Sequence, residues 1–97
     1  MYARVTIIQL LPGKTDEGIA IFRDSVVPAA MQQKGYKGAY LLSDRKMGKG
    51  MSITFWETET DLTAGESSGF YQQQVAKFKD LLGAPPVREA YEVSVQA

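Results

Sequence analysis

The sequence predicts an α+β domain in which an antiparallel sheet of four strands carries helices on one face. Runs of alternating residue type at Tyr2 to Leu11, Tyr36 to Asp44, Gly50 to Glu57 and Val87 to Val95 read as strands. After the first and after the third of these, apolar residues recur every three or four positions, as on a helix. Glycine and proline punctuate the joins, and no repeat or linker divides the 97 residues, so a single domain over 1–97 is expected.

In the first strand Ala3, Val5 and Ile7 share one side, and Tyr2, Arg4, Thr6, Ile8 and Leu10 share the other. Pro12-Gly13 stops it, and Thr15-Asp16-Glu17 offers a capping hydroxyl followed by acids suited to a helix N-terminus. Ile19, Phe22, Val26, Val27 and Ala30 then form one apolar stripe. Pro28 lies within it and predicts a kink or a second short helix over 27–33, closed by Gly35. The loop Arg45-Lys46-Met47-Gly48-Lys49 joins two strands as a hairpin, and its basic residues read as a solvated tip.

The stretch from Gly48 to Leu62 organises the rest. It leaves a glycine turn, alternates as a half-buried strand, ends in the single tryptophan, Trp56, and enters a helix start. Thr58-Glu59-Thr60-Asp61 has capping-box spacing, with aspartate in place of glutamate, so a short helix is expected over Asp61 to Gly65. After a break at Gly65 to Gly69, Tyr71, Val75, Phe78 and Leu82 mark one face of a further helix, with Gln72, Gln73 and Lys77 outward. Gly83-Ala84-Pro85-Pro86 connects rigidly to the last strand, where Tyr91, Val93 and Val95 face one way. The order β-α-β-β-α-β is that of the ferredoxin-like unit.

Helices on one face leave the other uncovered, yet both faces carry apolar residues. Val5, Ile7, Met51, Ile53 and Phe55 lie on one, and Ile8, Leu10, Leu42 and Trp56 on the other. A large exposed apolar patch is unusual in a soluble monomer. A homodimer packed sheet to sheet about a twofold axis is therefore expected, giving a dimeric α+β barrel.

Composition removes whole classes of function. Eleven basic residues balance 11 acidic ones, so neither nucleic acid nor an anionic membrane is an expected partner. Absence of cysteine excludes disulfides and thiolate nucleophiles; absence of histidine excludes a histidine-held haem, the usual zinc and iron sites and the commonest general base. No apolar run approaches the roughly 18 residues of a membrane span, and the chain enters strand alternation from its start. A cytoplasmic location is expected.

Several segments together resemble the antibiotic biosynthesis monooxygenase family, across essentially the whole chain. They are Tyr2-Ala3-Arg4-Val5-Thr6 with Pro12-Gly13-Lys14, Gly35-Tyr36-Lys37-Gly38, Phe55-Trp56-Glu57-Thr58, and Val87-Arg88-Glu89-Ala90-Tyr91-Glu92-Val93. The resemblance implies a dimeric α+β barrel with a pocket between sheet and helices. It places Trp56, Thr6 and the Glu66 to Tyr71 region in that pocket. In the haem-degrading branch asparagine and histidine hold the haem; Thr6, and Glu66 or Ser67, stand in their places here, which argues against haem degradation.

What the resemblance leaves is cofactor-free oxidation of a small aromatic or polyketide-like substrate, with no metal. A deprotonated phenol or hydroquinone passes an electron to dioxygen itself, so the protein need supply only an apolar pocket, a proton acceptor and donors for the anion. The catalytic candidates are Trp56 and Tyr71, to stack on and hydrogen-bond the ring, Arg4, to favour its anion, and Thr6, to orient it. Phe22, Val26, Glu66, Ser67 and Phe70 are candidate substrate contacts.

Each has a plainer reading as well. Trp56 also reads as core or interface packing, Tyr71 as a packed stripe residue, and Arg4 as an ion-pair partner of Glu57, Glu89 or Glu92. Thr6 also reads as a good strand former, and Glu66 as a solvated helix-start carboxylate. The alternative function is a non-catalytic ligand-binding or stress-response dimer of the same fold. A drug-sized substrate requires a cavity of about 300 Å3 or more beside Trp56.

Overall fold

A computed structural model describes residues 1–97. Strand β1 spans Tyr2–Gln9, β2 Tyr36–Asp44, β3 Lys49–Trp56 and β4 Val87–Glu92. They form one antiparallel sheet in the order β2-β3-β1-β4, which is the ferredoxin-like arrangement. Between β1 and β2 run α1 (Thr15–Ile21), a π-helical turn (Phe22–Val26) and α2 (Val27–Met31); α3 (Glu59–Ser67) and α4 (Phe70–Ala76) follow β3. No helix is long and apolar enough to cross a membrane.

Register sets which side chains meet the helices. Across β1 and β3, Arg4 pairs with Thr54 and Thr6 with Ser52, and across β1 and β4, Thr6 pairs with Arg88. Phe22, Val26, Phe78 and Leu81 form the buried cluster under the sheet, with Leu10, Ala39 and Leu41 packed against it. Burying such side chains is the main favourable term in folding.

Several boundaries differ from expectation. β1 ends at Gln9, because Leu10 turns to bridge Leu82. α3 runs longer than expected, and Thr58 caps it through a 3.0 Å bond from the Asp61 amide. α4 stops at Ala76, and β4 at Glu92. The second short helix expected at Pro28 is present as α2, two residues shorter than expected, with Pro28 in its first turn and the helix immediately before it widened into the π turn. Widening the turn before a proline relieves the clash of its ring with the preceding carbonyls.

Leu42 lies on the face opposite to the one its alternation implies. Tyr36 pairs with Trp56 but Gly38 pairs with Phe55, so β2 spends an extra residue at Lys37. Such a bulge reverses the parity of everything beyond it. Leu41 therefore packs on the core, and Leu42 joins Tyr40, Ile7, Val87 and Tyr91 among the exposed large apolar side chains on or beside the uncovered face.

Candidate functional site

The helix-facing residues of β1 and β3 form the floor of a cavity roofed by the π turn and α4. Arg4, Thr6, Ser52, Thr54 and Trp56 come from the sheet, and Phe22, Val26, Phe70, Tyr71 and Gln74 from the helices. Phe22 and Val26 lie at the two ends of the π turn, so the widening that accommodates Pro28 also shapes the roof. The cavity holds about 70 Å3, room for a few waters and well short of the expected 300 Å3. Side chains fill the difference, Phe22 and Phe78 among them.

Trp56 ends β3 and is 5% exposed. Its indole N–H donates to the Thr54 hydroxyl at 3.0 Å, and the Tyr36 ring meets it edge-on at 6.1 Å. Residues two apart on a strand share a face, so this bond locks the indole plane against the cavity. Tyr71 follows Gly69, whose φ of +84° restarts the helix in a new direction. That turn carries the phenol over the sheet, where its hydroxyl and Thr6 Oγ1 share a hydrogen bond of 2.9 Å.

Arg4 is buried. Its guanidinium donates to the Glu89 backbone oxygen at 3.1 Å and pairs with the Glu66 carboxylate. Burial lowers its pKa, an effect opposed by nearby Tyr71 and reinforced by Arg88. A guanidinium stays charged even so. Arg88 Nε lies 3.6 Å from the same Glu66 oxygen, and the guanidinium carbons of Arg4 and Arg88 stand 5.4 and 5.5 Å from the Tyr71 ring centroid. Two cations thus flank one phenol, within cation–π range.

The structure gathers Arg4, Thr6, Trp56, Tyr71, Phe22, Val26 and Phe70 around one space. Glu66 stands outside it, in a surface groove that also borders Arg4. Because α3 extends to Ser67, Glu66 sits at that helix's C-terminal end rather than at a helix start. Ser67 does not line the cavity; it is exposed, and its hydroxyl donates to the Thr63 carbonyl at 3.0 Å.

Ser52, Thr54, Gln74 and Arg88 were not among the residues singled out from sequence. Gln74 lies three residues after Tyr71 and four before Phe78, on their stripe, and it is buried with its side-chain oxygen accepting from Lys77 at 2.7 Å. A polar residue inside an apolar stripe was the available signal. Arg88 gave none, because only the β1–β4 register brings it opposite Thr6.

No protein-family model matches the chain. Uncharacterized protein Rv2557 of Mycobacterium tuberculosis is 34% identical over 98 residues, covering 97% of this chain and 41% of the relative. The chain thus spans about two-fifths of the length of that curated relative. Solved structures align along almost all of it. The ActVA-Orf6 monooxygenase of Streptomyces coelicolor, in complex with nanaomycin D, has a TM-score of 0.80 at 12% identity, over 99% of this chain and 89% of that one. SnoaB, a cofactor-independent oxygenase from Streptomyces nogalater, has a TM-score of 0.78 at 14% identity, over 98% and 94%. A protein crystallised as an antibiotic biosynthesis monooxygenase has a TM-score of 0.74 at 14% identity, over 98% and 100%.

The fold is that of the antibiotic biosynthesis monooxygenases. It is also shared with proteins whose function is unknown, such as NE2512 of Nitrosomonas europaea, with a TM-score of 0.76 at 20% identity over 99% and 91%. At these identities the antibiotic biosynthesis monooxygenase fold carries no assignment of chemistry, which has to come from the side chains of the cavity.

Proposed function

We propose that the chain belongs to the antibiotic biosynthesis monooxygenase family and is a cofactor-independent monooxygenase acting on a small aromatic or polyketide-like substrate in the cavity between sheet and helices. The observation that carries this reading is the Thr6–Tyr71 hydrogen bond, a paired donor and acceptor set in a largely apolar space beside Trp56. A phenolic substrate hydroxyl takes up that pair, and Arg4 favours the phenolate. The phenolic proton passes to solvent water, the phenolate gives one electron to dioxygen, and the phenoxyl and superoxide radicals join at a ring carbon as a peroxide anion that takes a proton back to become a hydroperoxide. Loss of water leaves a quinone, with one oxygen atom in the product and the other in water.

Oxygen uptake across a panel of phenols and hydroquinones, compared with Trp56→Phe and Tyr71→Phe, tests the proposal. Both substitutions are expected to lower turnover at least about tenfold; turnover unchanged in both removes these residues from the reaction.

The proposed assembly is a homodimer through the uncovered sheet face. Tyr40 is 63% exposed there, Leu42 51% and Tyr91 54%, an apolar surface that a second copy would cover. A second functional reading is favoured by the cavity lining, which includes no carboxylate, amine or thiol to act as base or nucleophile: a dimer that binds a ligand without altering it. A ligand recovered intact after raising Tm supports that reading, and reproducible product formation rules it out.

A further inference from the structure

Arg4, Arg88 and Glu66 are arranged as an anion site with an internal occupant. One Glu66 oxygen is shared between two guanidiniums: Arg4, with which it pairs, and Arg88, at 3.6 Å. The Arg4 side chain is 8% exposed and that of Glu66 30%, so the cation is the fixed partner and the carboxylate the peripheral one. Arg4 borders both the cavity and the surface groove, whereas Glu66 borders the groove alone. Arg4 thus stands where the two spaces meet, with Glu66 on its groove side.

Its position in the helix is locally unfavourable. Glu66 is the penultimate residue of α3, at the negative end of the helix dipole. The contacts that hold it are the two arginines, and an anion of the same geometry offers them the same charge-assisted bonds. We propose that Arg4 and Arg88 form the seat for an acidic group on the ligand, and that Glu66 fills this seat when no ligand is bound. The ligand class is a planar aromatic carrying a carboxylate or an equivalent ionised oxygen. Its ring enters beside Trp56 and Tyr71 by widening the cavity beyond its present volume of about 70 Å3, and its anion replaces the Glu66 carboxylate on the guanidiniums, turning Glu66 outward along the groove it already borders. Glu59 and Glu92 also border that groove, so attraction for an anion is confined to the part that Arg4 borders, with Arg88 reaching the site from β4 beside Tyr71.

This inference rests on the cavity being a ligand site, but it requires no reaction. It is tested by titrating wild type and Glu66→Gln with 2-naphthoate and with neutral 2-naphthol, following the indole N–H resonance of Trp56, the single tryptophan. Glutamine keeps the shape of the side chain and removes its charge, and the same resonance shows that the variant is folded. Glu66→Gln is expected to bind naphthoate ~10-fold more tightly than wild type and naphthol within about twofold of it. Arg88→Gln, at a half-exposed position, is expected to weaken naphthoate in both backgrounds.

An equal change for both ligands, no change, weaker naphthoate binding, or no saturable naphthoate binding to Glu66→Gln at millimolar concentration overturns it. Failure of oxygen uptake with the binding pattern intact sinks the oxygenase reading and leaves this one standing.

Discussion

Thr6 Oγ1 and the Tyr71 hydroxyl lie 2.9 Å apart, joining the middle of β1 to the start of α4 across the cavity. Removing either oxygen leaves the other half-buried without its partner. Thr6→Val and Tyr71→Phe are each expected to cost about 1–2 kcal/mol in urea unfolding, and the double variant less than the sum of the two. Strict additivity would mean that the bond contributes nothing to stability.

Gly35 is held in a conformation that side chains resist, against a wall. Its φ is +84°, and a Cβ there would lie 2.2 Å from Asp61 Oδ2. Gly13 has φ +77° but open space around it. Gly13→Ala is expected to cost about 1–2 kcal/mol from backbone strain alone, and Gly35→Ala at least about 1 kcal/mol more. Equal costs in thermal unfolding would show that α3 yields freely to the new methyl group.

Tyr40 and Leu42 meet Ile53 and Met51 across the sheet and point away from the helices. In the proposed dimer both are covered. Wild type is expected to sediment at twice the 10.7 kDa chain mass at micromolar concentration, and Tyr40→Glu with Leu42→Glu at the single-chain mass. A wild-type monomer would remove the proposed assembly.

Burial raises the pKa of Tyr36, the ring that meets Trp56 edge-on. The folded state therefore favours the neutral phenol more than the unfolded state does. This contribution is fully present below the ordinary tyrosine pKa of about 10 and is lost as pH rises through the higher folded value. Denaturant unfolding between pH 9 and 12 is expected to show a steeper alkaline decline in wild type than in Tyr36→Phe (roughly this window brackets the titration). Parallel declines would assign the loss to other groups.

The sequence made legible what local periodicity controls. Val5 and Ile7 alternate with Thr6, and Phe22 and Val26 fall one turn apart, so the strands and the first helical segment followed from spacing, whereas Thr6, Trp56 and Tyr71 were expected at a pocket only through the family resemblance. What stayed hidden depends on pairing between distant segments. The extra residue at Lys37 appears only once β2 is set against β3, and it moves Leu42 to the other face. Arg88 reaches Tyr71 only because β4 lies opposite β1 in one particular register. Cavity volume is a residue of packing, set by how Phe22 and Phe78 fill the space, and no spacing rule encodes it.

Turnover under isotope-labelled dioxygen, with mass analysis of the product, tests the oxygenase site most directly. The expected product of a phenol or hydroquinone substrate carries one labelled oxygen atom without added metal or cofactor, and Tyr71→Phe abolishes most of the labelling. Substrate recovered unlabelled and unchanged, or labelling equal in wild type and Tyr71→Phe, would contradict a reaction at the Thr6–Tyr71 pair.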